Sequence, residues 1–334
     1  SLATGTIITM SSHHWLLAWL GLEINTLAML PHITKQHHPR ATEAATKYFL
    51  TQAAAAALIL LASLINTWQT GQWTIMQPTH NSTTLILTVA IAMKLGLAPT
   101  HFWYPEVLQG STMMTALIMS TWQKLAPLAL LYMMHNHLSL NLVLVLGLLS
   151  TMIGGWSGLN QTQLRKIMAF SSIAHMGWLT IALTMGHSLT TLTMIIYLAA
   201  TTAMFTSMLT TSTKNITDLT TTWSNSSTLL TMMMLTLMSL GGLPPLTGFM
   251  PKLLIIKELT LHQLTPLATT LALMSLPSLF FYTRLAYFTT LTNPPTTTTT
   301  KNTWRFKNNH THLMTTATTT TALLLPITPL LYNM

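Results

Sequence analysis

Apolar runs of roughly 20 residues follow one another along nearly the whole chain, about the length that spans a hydrocarbon core. They lie near residues 1–10, 13–31, 44–65, 82–110, 113–134, 139–157, 166–186, 188–210, 228–260, 266–289 and 313–333, and predict eleven membrane segments. Ten-residue stretches with strict apolar/polar alternation are absent, which argues against barrel strands. The expected fold class is therefore an all-α polytopic membrane protein, a single membrane domain over residues 1–334. Connections are short except for 290–312, which holds the threonine tract 296–300. Ser1 opens inside an apolar run, SLATGTIITM, which reads as a processed or incompletely covered first segment. It shows no Lys/Arg-led signal segment.

Composition sharpens this reading. Half of the 334 residues are hydrophobic and 6% are charged, against about 25% charged in soluble domains. The net charge of +9 comes from basic residues spread over loops. No dense patch suits a nucleic acid, and none is expected as a partner. Cysteine is absent, so the chain forms no disulfide, ligates no iron–sulfur cluster through thiolates and offers no thiol nucleophile. No glycine-rich phosphate loop follows a strand, and no His/Glu pair has metal-ligand spacing. The abundance of Thr and the 24 Met fit a codon-biased organellar genome.

The basic residues orient the segments. Lys35 and Arg40, Arg165 and Lys166, Lys214, and then Lys301, Arg305 and Lys307 follow segments 2, 6, 8 and 10. With eleven segments, these loops share one side. The opposite loops 66–81, 135–138 and 186–188 carry no Lys or Arg. This alternation is a positive-inside pattern, with the N-terminus on the positive side and the C-terminus on the other. Trp68, Trp73 and Trp304 read as interface anchors, and His13, His14, His37 and His38 as interfacial residues at segment ends.

Four charges lie inside segments: Glu23 in WLLAWLGLEINTLAML, Lys94 in AIAMKLGLAP, Lys124 in TWQKLAPL and Lys252 in GFMPKLLII. A central Lys costs about 2.5–3.5 kcal/mol on insertion scales. Burial disfavours the charged form of a lysine and a nearby carboxylate restores it, so a lysine between the two effects can exchange a proton. Arginine stays charged. All three buried bases are Lys, as a proton relay requires. The structural alternative is a set of fixed ion pairs, but one Glu cannot neutralise three lysines. His175, in SSIAHMGWL, is a second candidate relay base or a hydrogen-bonded packing residue.

Two stretches break the helical pattern. MSLGGLPPLTGFMPK, residues 238–252, places Gly and Pro pairs at membrane depth, and no continuous helix survives this. LGLAPTHFWYPEV, residues 95–107, carries two prolines just after Lys94. Irregular backbone at this depth is tolerated where it is buried or lines water, and broken helices beside charges mark transporter cores. For the second stretch, a plain proline kink competes, with Glu106 near the surface.

Six stretches carry a family resemblance: HHWLLAWLGLEINTLAMLP, TEAATKYFLTQA, KLGLAPTHFWYPEV, TWQKLAPL, GLNQTQLRKIMAFSSIAHMGW and SLGGLPPLTGFMPK. Together they resemble the mitochondrially encoded chain 2 family of NADH:ubiquinone oxidoreductase (respiratory complex I), in its shortened vertebrate-type form. The resemblance implies an antiporter-like subunit with two inverted repeats, roughly 44–185 and 188–310, each with one discontinuous helix, flanked by 1–31 and 313–333. Glu23 and Lys94 then match the family's carboxylate–lysine pair, Lys124 its central lysine and Lys252 the lysine of the second half. It implies proton translocation across the mitochondrial inner membrane, coupled to electron transfer elsewhere in the complex. NADH, FMN, iron–sulfur clusters and ubiquinone belong to the complex, with no cofactor on this chain. Expected partners are the other membrane-arm subunits and phospholipids including cardiolipin. The N-terminus would face the matrix and the C-terminus the intermembrane space. Two alternatives stay open: a stand-alone cation/proton antiporter and a non-pumping scaffold subunit.

Overall fold

The computed structural model describes residues 1–35, 37–75, 81–224, 227–291 and 312–333. Lys301, Trp304, Arg305, Lys307 and the threonine tract lie outside the described residues. The helices, in chain order, are α1 (Leu2–Ser11), α2 (Trp15–Thr34), α3 (Pro39–Thr70), α4 (Asn81–Leu95), α5 (Trp103–Gly110), α6 (Met113–Ser120), α7 (Leu125–Met133) and α8 (Leu140–Gly158). They continue as α9 (Leu164–Met185), α10 (His187–Thr211), α11 (Ile216–Thr221), α12 (Ser227–Gly241), α13 (Phe249–Leu261), α14 (Thr265–Thr289), α15 (His312–Leu323) and α16 (Thr328–Asn333). By length and apolarity six of these can cross a membrane: α2, α3, α8, α9, α10 and α14. The helices group into two compact units, Ser1–Ser150 and Thr151–Met334.

In the first unit, α2 starts where the His14 imidazole accepts the backbone N–H of Leu16 at 3.2 Å. The same ring stacks on Trp73, centroids 5.3 Å apart. α3 has 32 residues, about 48 Å at 1.5 Å per residue, and so outreaches a hydrocarbon core of about 30 Å. Near its start, Lys47 bridges Glu43 of the same helix at 2.6 Å and Glu106 of α5 at 2.5 Å. Glu106 thus sits at the surface, tying the segment after the first break to α3.

Several of the expected segments are interrupted, two of them at the expected breaks. Segment 82–110 is two helices, α4 and α5, and segment 228–260 is α12 and α13. Segment 113–134, expected to be continuous, is α6, a 3₁₀ turn at Trp122–Lys124, and α7. Pro127 explains this third interruption. It has no N–H to donate to the carbonyl of Gln123, and its ring crowds that carbonyl. At the chain's far end, Pro326 has the same effect, separating α15 from α16 by a 3₁₀ turn at Leu325–Ile327.

The many threonines are compatible with an apolar setting because their hydroxyls close on their own helix. Thr180 donates to Gly177 O at 2.9 Å, Thr201 to Tyr197 O at 2.8 Å and Thr236 to Met233 O at 2.9 Å. Each hydroxyl is satisfied without a partner helix, as helices in oil require.

Candidate functional site: two lysine-lined cavities

The first unit encloses a cavity of about 20 Å³ lined by Lys94, Lys124, Tyr48, Gln52, Asn25 and Tyr104, among others. That is room for about one water molecule. Local structure explains how these side chains meet. α4 ends one residue after Lys94, and Gly96 takes φ +72°, a left-handed conformation that side chains disfavour. The chain turns there, and Trp103 donates its indole N–H back to Met93 O at 3.1 Å. This folds the start of α5 over the end of α4 and puts Tyr104 beside Lys124. The Lys124 Nζ stands 4.7 Å from the Tyr104 ring centroid. The turn carrying Lys124 is tied to α2, because Gln123 donates to Asn25 Oδ1 at 3.1 Å.

Lys94 is 6% and Lys124 3% exposed. The structure brings these two predicted residues together. It places Glu23 differently. Leu22, Asn25 and Thr26 of α2 line the cavity, a stripe at helical spacing; Glu23 stands about 100° around the helix from it. Its carboxylate accepts from the Thr26 hydroxyl at 3.2 Å and lines an apolar groove with Trp19, Ala53, Ala57 and Trp68. Glu23 and Lys94 form no ion pair within 4.0 Å; among the described residues the ion pairs are those of Lys47. The Glu23 charge still acts on Lys94 through space.

The second unit has a cavity of about 30 Å³ lined by His175, Tyr197, Ser239 and Lys252. Here too a glycine makes the break: Gly242, φ +82°, ends α12. Lys252, in the first turn of α13, reaches back across the gap. Its Nζ donates to Gly241 O at 2.8 Å. His175 of α9 lies opposite, its Nε2 3.3 Å from the Tyr282 hydroxyl of α14 and its ring 5.8 Å from that of Tyr197. Lys252 and His175, far apart in sequence, thus share one cavity. Among the described residues, no group of three His, Cys, Asp or Glu could hold a metal ion.

The sequence reading missed Tyr48, Gln52, Tyr104, Asn25 and Gln123 in the first cavity, Tyr197 in the second, and Tyr282, which bonds to His175 of that cavity. Their shared signal is a polar or phenolic side chain within an apolar run.

Residues 12–278 match the NADH:quinone oxidoreductase/Mrp antiporter transmembrane family, and residues 279–332 match the C-terminus of NADH dehydrogenase subunit 2. The NADH-ubiquinone oxidoreductase chain 2 of Struthio camelus is 52% identical over 331 residues, covering 99% of this chain and 96% of that protein. The chain belongs to the NADH-ubiquinone oxidoreductase chain 2 family. A chain in respiratory complex I from Thermus thermophilus superposes with a TM-score of 0.87 at 26% identity, over 99% of this chain and 78% of that one. The fold is also that of a chain in the Mrp complex from Dietzia, with a TM-score of 0.87 at 14% identity, over 99% of this chain and 74% of that one. The family match spans both units, so both lysine-lined cavities lie within the chain 2 fold.

Proposed function

We propose that this chain is a core membrane-arm subunit of respiratory complex I, an NADH:ubiquinone reductase that translocates protons. It takes part in moving protons across the mitochondrial inner membrane, driven by electron transfer from NADH to ubiquinone. It holds no redox centre; NADH, FMN, iron–sulfur clusters and ubiquinone act elsewhere in the assembly. Its partners are the other membrane-arm subunits and phospholipids, cardiolipin among them. The chain crosses the membrane eleven times, with the N-terminus in the matrix and the C-terminus in the intermembrane space. α4–α5 and α12–α13 are the discontinuous helices of the two inverted repeats, roughly 44–185 and 188–310.

The observation that carries this reading is the pair Lys94 and Lys124 in one water-sized cavity. Two ammonium groups in so small and buried a space repel, so protonation of one opposes protonation of the other. A proton arriving at one lysine thus favours departure from its neighbour. Glu23 biases Lys94 from outside the cavity, through space. In the second unit, Lys252 and His175 supply two further bases around one cavity, with Tyr282 joined to His175. Moving each charge against the field takes about 2.3 kcal/mol per 100 mV, which the redox reaction supplies.

The test is Lys124→Met in the assembled complex within inner-membrane vesicles. NADH-driven proton uptake should fall at least tenfold. Uptake at the unsubstituted rate from a fully assembled variant would sink the relay.

A further inference from the structure

The first cavity has no carboxylate in its lining. The face of Tyr104 meets the Lys124 ammonium, 4.7 Å from Nζ to ring centroid. An aromatic face attracts a cation, and most strongly where water is excluded. Tyr104 is 1% exposed, and its ring is fixed from several sides. The indole of Trp103 packs edge-on against it, centroids 5.4 Å apart at 88°. A Cβ on Gly96 would stand 3.3 Å from Tyr104 Cβ, so the break leaves the space that the ring occupies. Two residues on, Glu106 is held by Lys47 of α3. The ring therefore belongs to the short helix that begins after the break, whereas Lys124 belongs to the turn between α6 and α7.

We propose that Tyr104 is a positioning residue for Lys124: its ring face holds the ammonium form in the cavity, and the placement of α5 sets how firmly. This rests on the relay role proposed above for Lys124. A carboxylate here would trap the proton by full ion pairing. The ring attracts the cation without offering a base, so the proton stays available. Any shift of α5 against the 122–124 turn changes the hold on the charge. The other titratable side chains around Lys124 are Lys94 from α4 and Tyr48 from α3. α2 contributes Glu23 from its outer face, α6 contributes none, and α7 contributes Tyr132 about two turns away.

The experiment compares Tyr104→Phe, Tyr104→Leu and Lys124→Met in assembled complex, reading the initial rate of NADH-driven proton uptake against pH. Phe keeps the ring face and should retain the full profile. Leu removes it; Lys124 then holds its proton less firmly, and the alkaline limb should move about one pH unit lower. A Leu profile that matches the unsubstituted one overturns the proposal, as does a Phe profile displaced as far as that of Leu, which would assign the effect to the hydroxyl. Should Leu fail to assemble, Tyr104→Met fills similar space without a ring and is read in its place. The Phe arm stands in either case. Lys124→Met separates the levels: normal uptake in it removes the relay and this inference together. Lost uptake in it with a normal Leu profile removes the inference alone.

Discussion

Replacing Lys94 by Met separates two roles that a buried charge can play. If Lys94 is half of a structural ion pair, removing it destabilises the chain by about 3–5 kcal/mol. The geometry argues for the opposite sign. The Lys94 Nζ is buried and makes no hydrogen bond among the described residues. No carboxylate lies within ion-pair distance, and Glu23 keeps its contact with the Thr26 hydroxyl when Lys94 is gone. A central Lys costs about 2.5–3.5 kcal/mol on insertion scales. The lost attraction to Glu23, a non-contacting charge, offsets roughly 1 kcal/mol of that. Methionine is unbranched and fits irregular space. The expected balance is a gain of about 1–3 kcal/mol in stability, together with loss of proton uptake. The assay is retention of the chain in detergent-purified complex after graded heating, read on native gels, beside NADH-driven uptake in vesicles. Lower heat resistance in the variant would refute the reasoning and return Lys94 to a structural role. Unchanged uptake would refute its place in the relay.

Two other substitutions probe the second unit. Gly154→Ala in α8 would bring a Cβ to 2.7 Å from Ala174 N and 2.9 Å from Phe170 O, so the backbone of α9 must shift; about 1–3 kcal/mol of destabilisation is expected. Native-gel heat resistance should fall for Gly154→Ala and hold for Gly186→Ala, whose added Cβ meets nothing within 4 Å. Tyr282→Phe removes the hydroxyl 3.3 Å from His175 Nε2 and keeps the ring. Assembly should persist while proton uptake falls severalfold, and unchanged uptake would take Tyr282 and His175 out of the pathway.

Hydrophobic runs revealed much of the helical architecture because lipid demands one conformation wherever residues are uniformly apolar. α2, α9, α10 and α14 fall within a few residues of their expected positions for that reason. Gly96 and Gly242 were legible as breaks because each has prolines close behind it. The turn at 122–124 was not. There a single proline, Pro127, acts from three residues beyond Lys124, inside a run whose apolarity alone suggested continuity. Lys94, Lys124 and Lys252 stood out because a charge is conspicuous in oil. Tyr104 and Tyr282 did not, since a phenol is unremarkable in an apolar run until a neighbour reveals its role. The direction of Glu23 was illegible for another reason. A residue's facing depends on helix rotation, and only the packed stripe of Leu22, Asn25 and Thr26 fixes the rotation of α2.

The interruptions and the lysines have a common logic. Lys94 lies in the last turn of α4, Lys124 follows the end of α6, and Lys252 donates to Gly241 O, the last residue of α12. The Lys252 ammonium is therefore at the C-terminus of α12, where unpaired carbonyls carry about half a negative charge, whereas Lys124 immediately precedes α7 and meets the face of Tyr104 instead. A continuous helix would have no such end at membrane depth. Breaking the helix there thus places partial negative charge beside Lys252 without a carboxylate. This suits proton exchange, because a carbonyl stabilises an ammonium and cannot take its proton. Beside two of the lysines the ammonium thus meets a partner that is not a carboxylate: the ring of Tyr104 for Lys124 and the Gly241 carbonyl for Lys252.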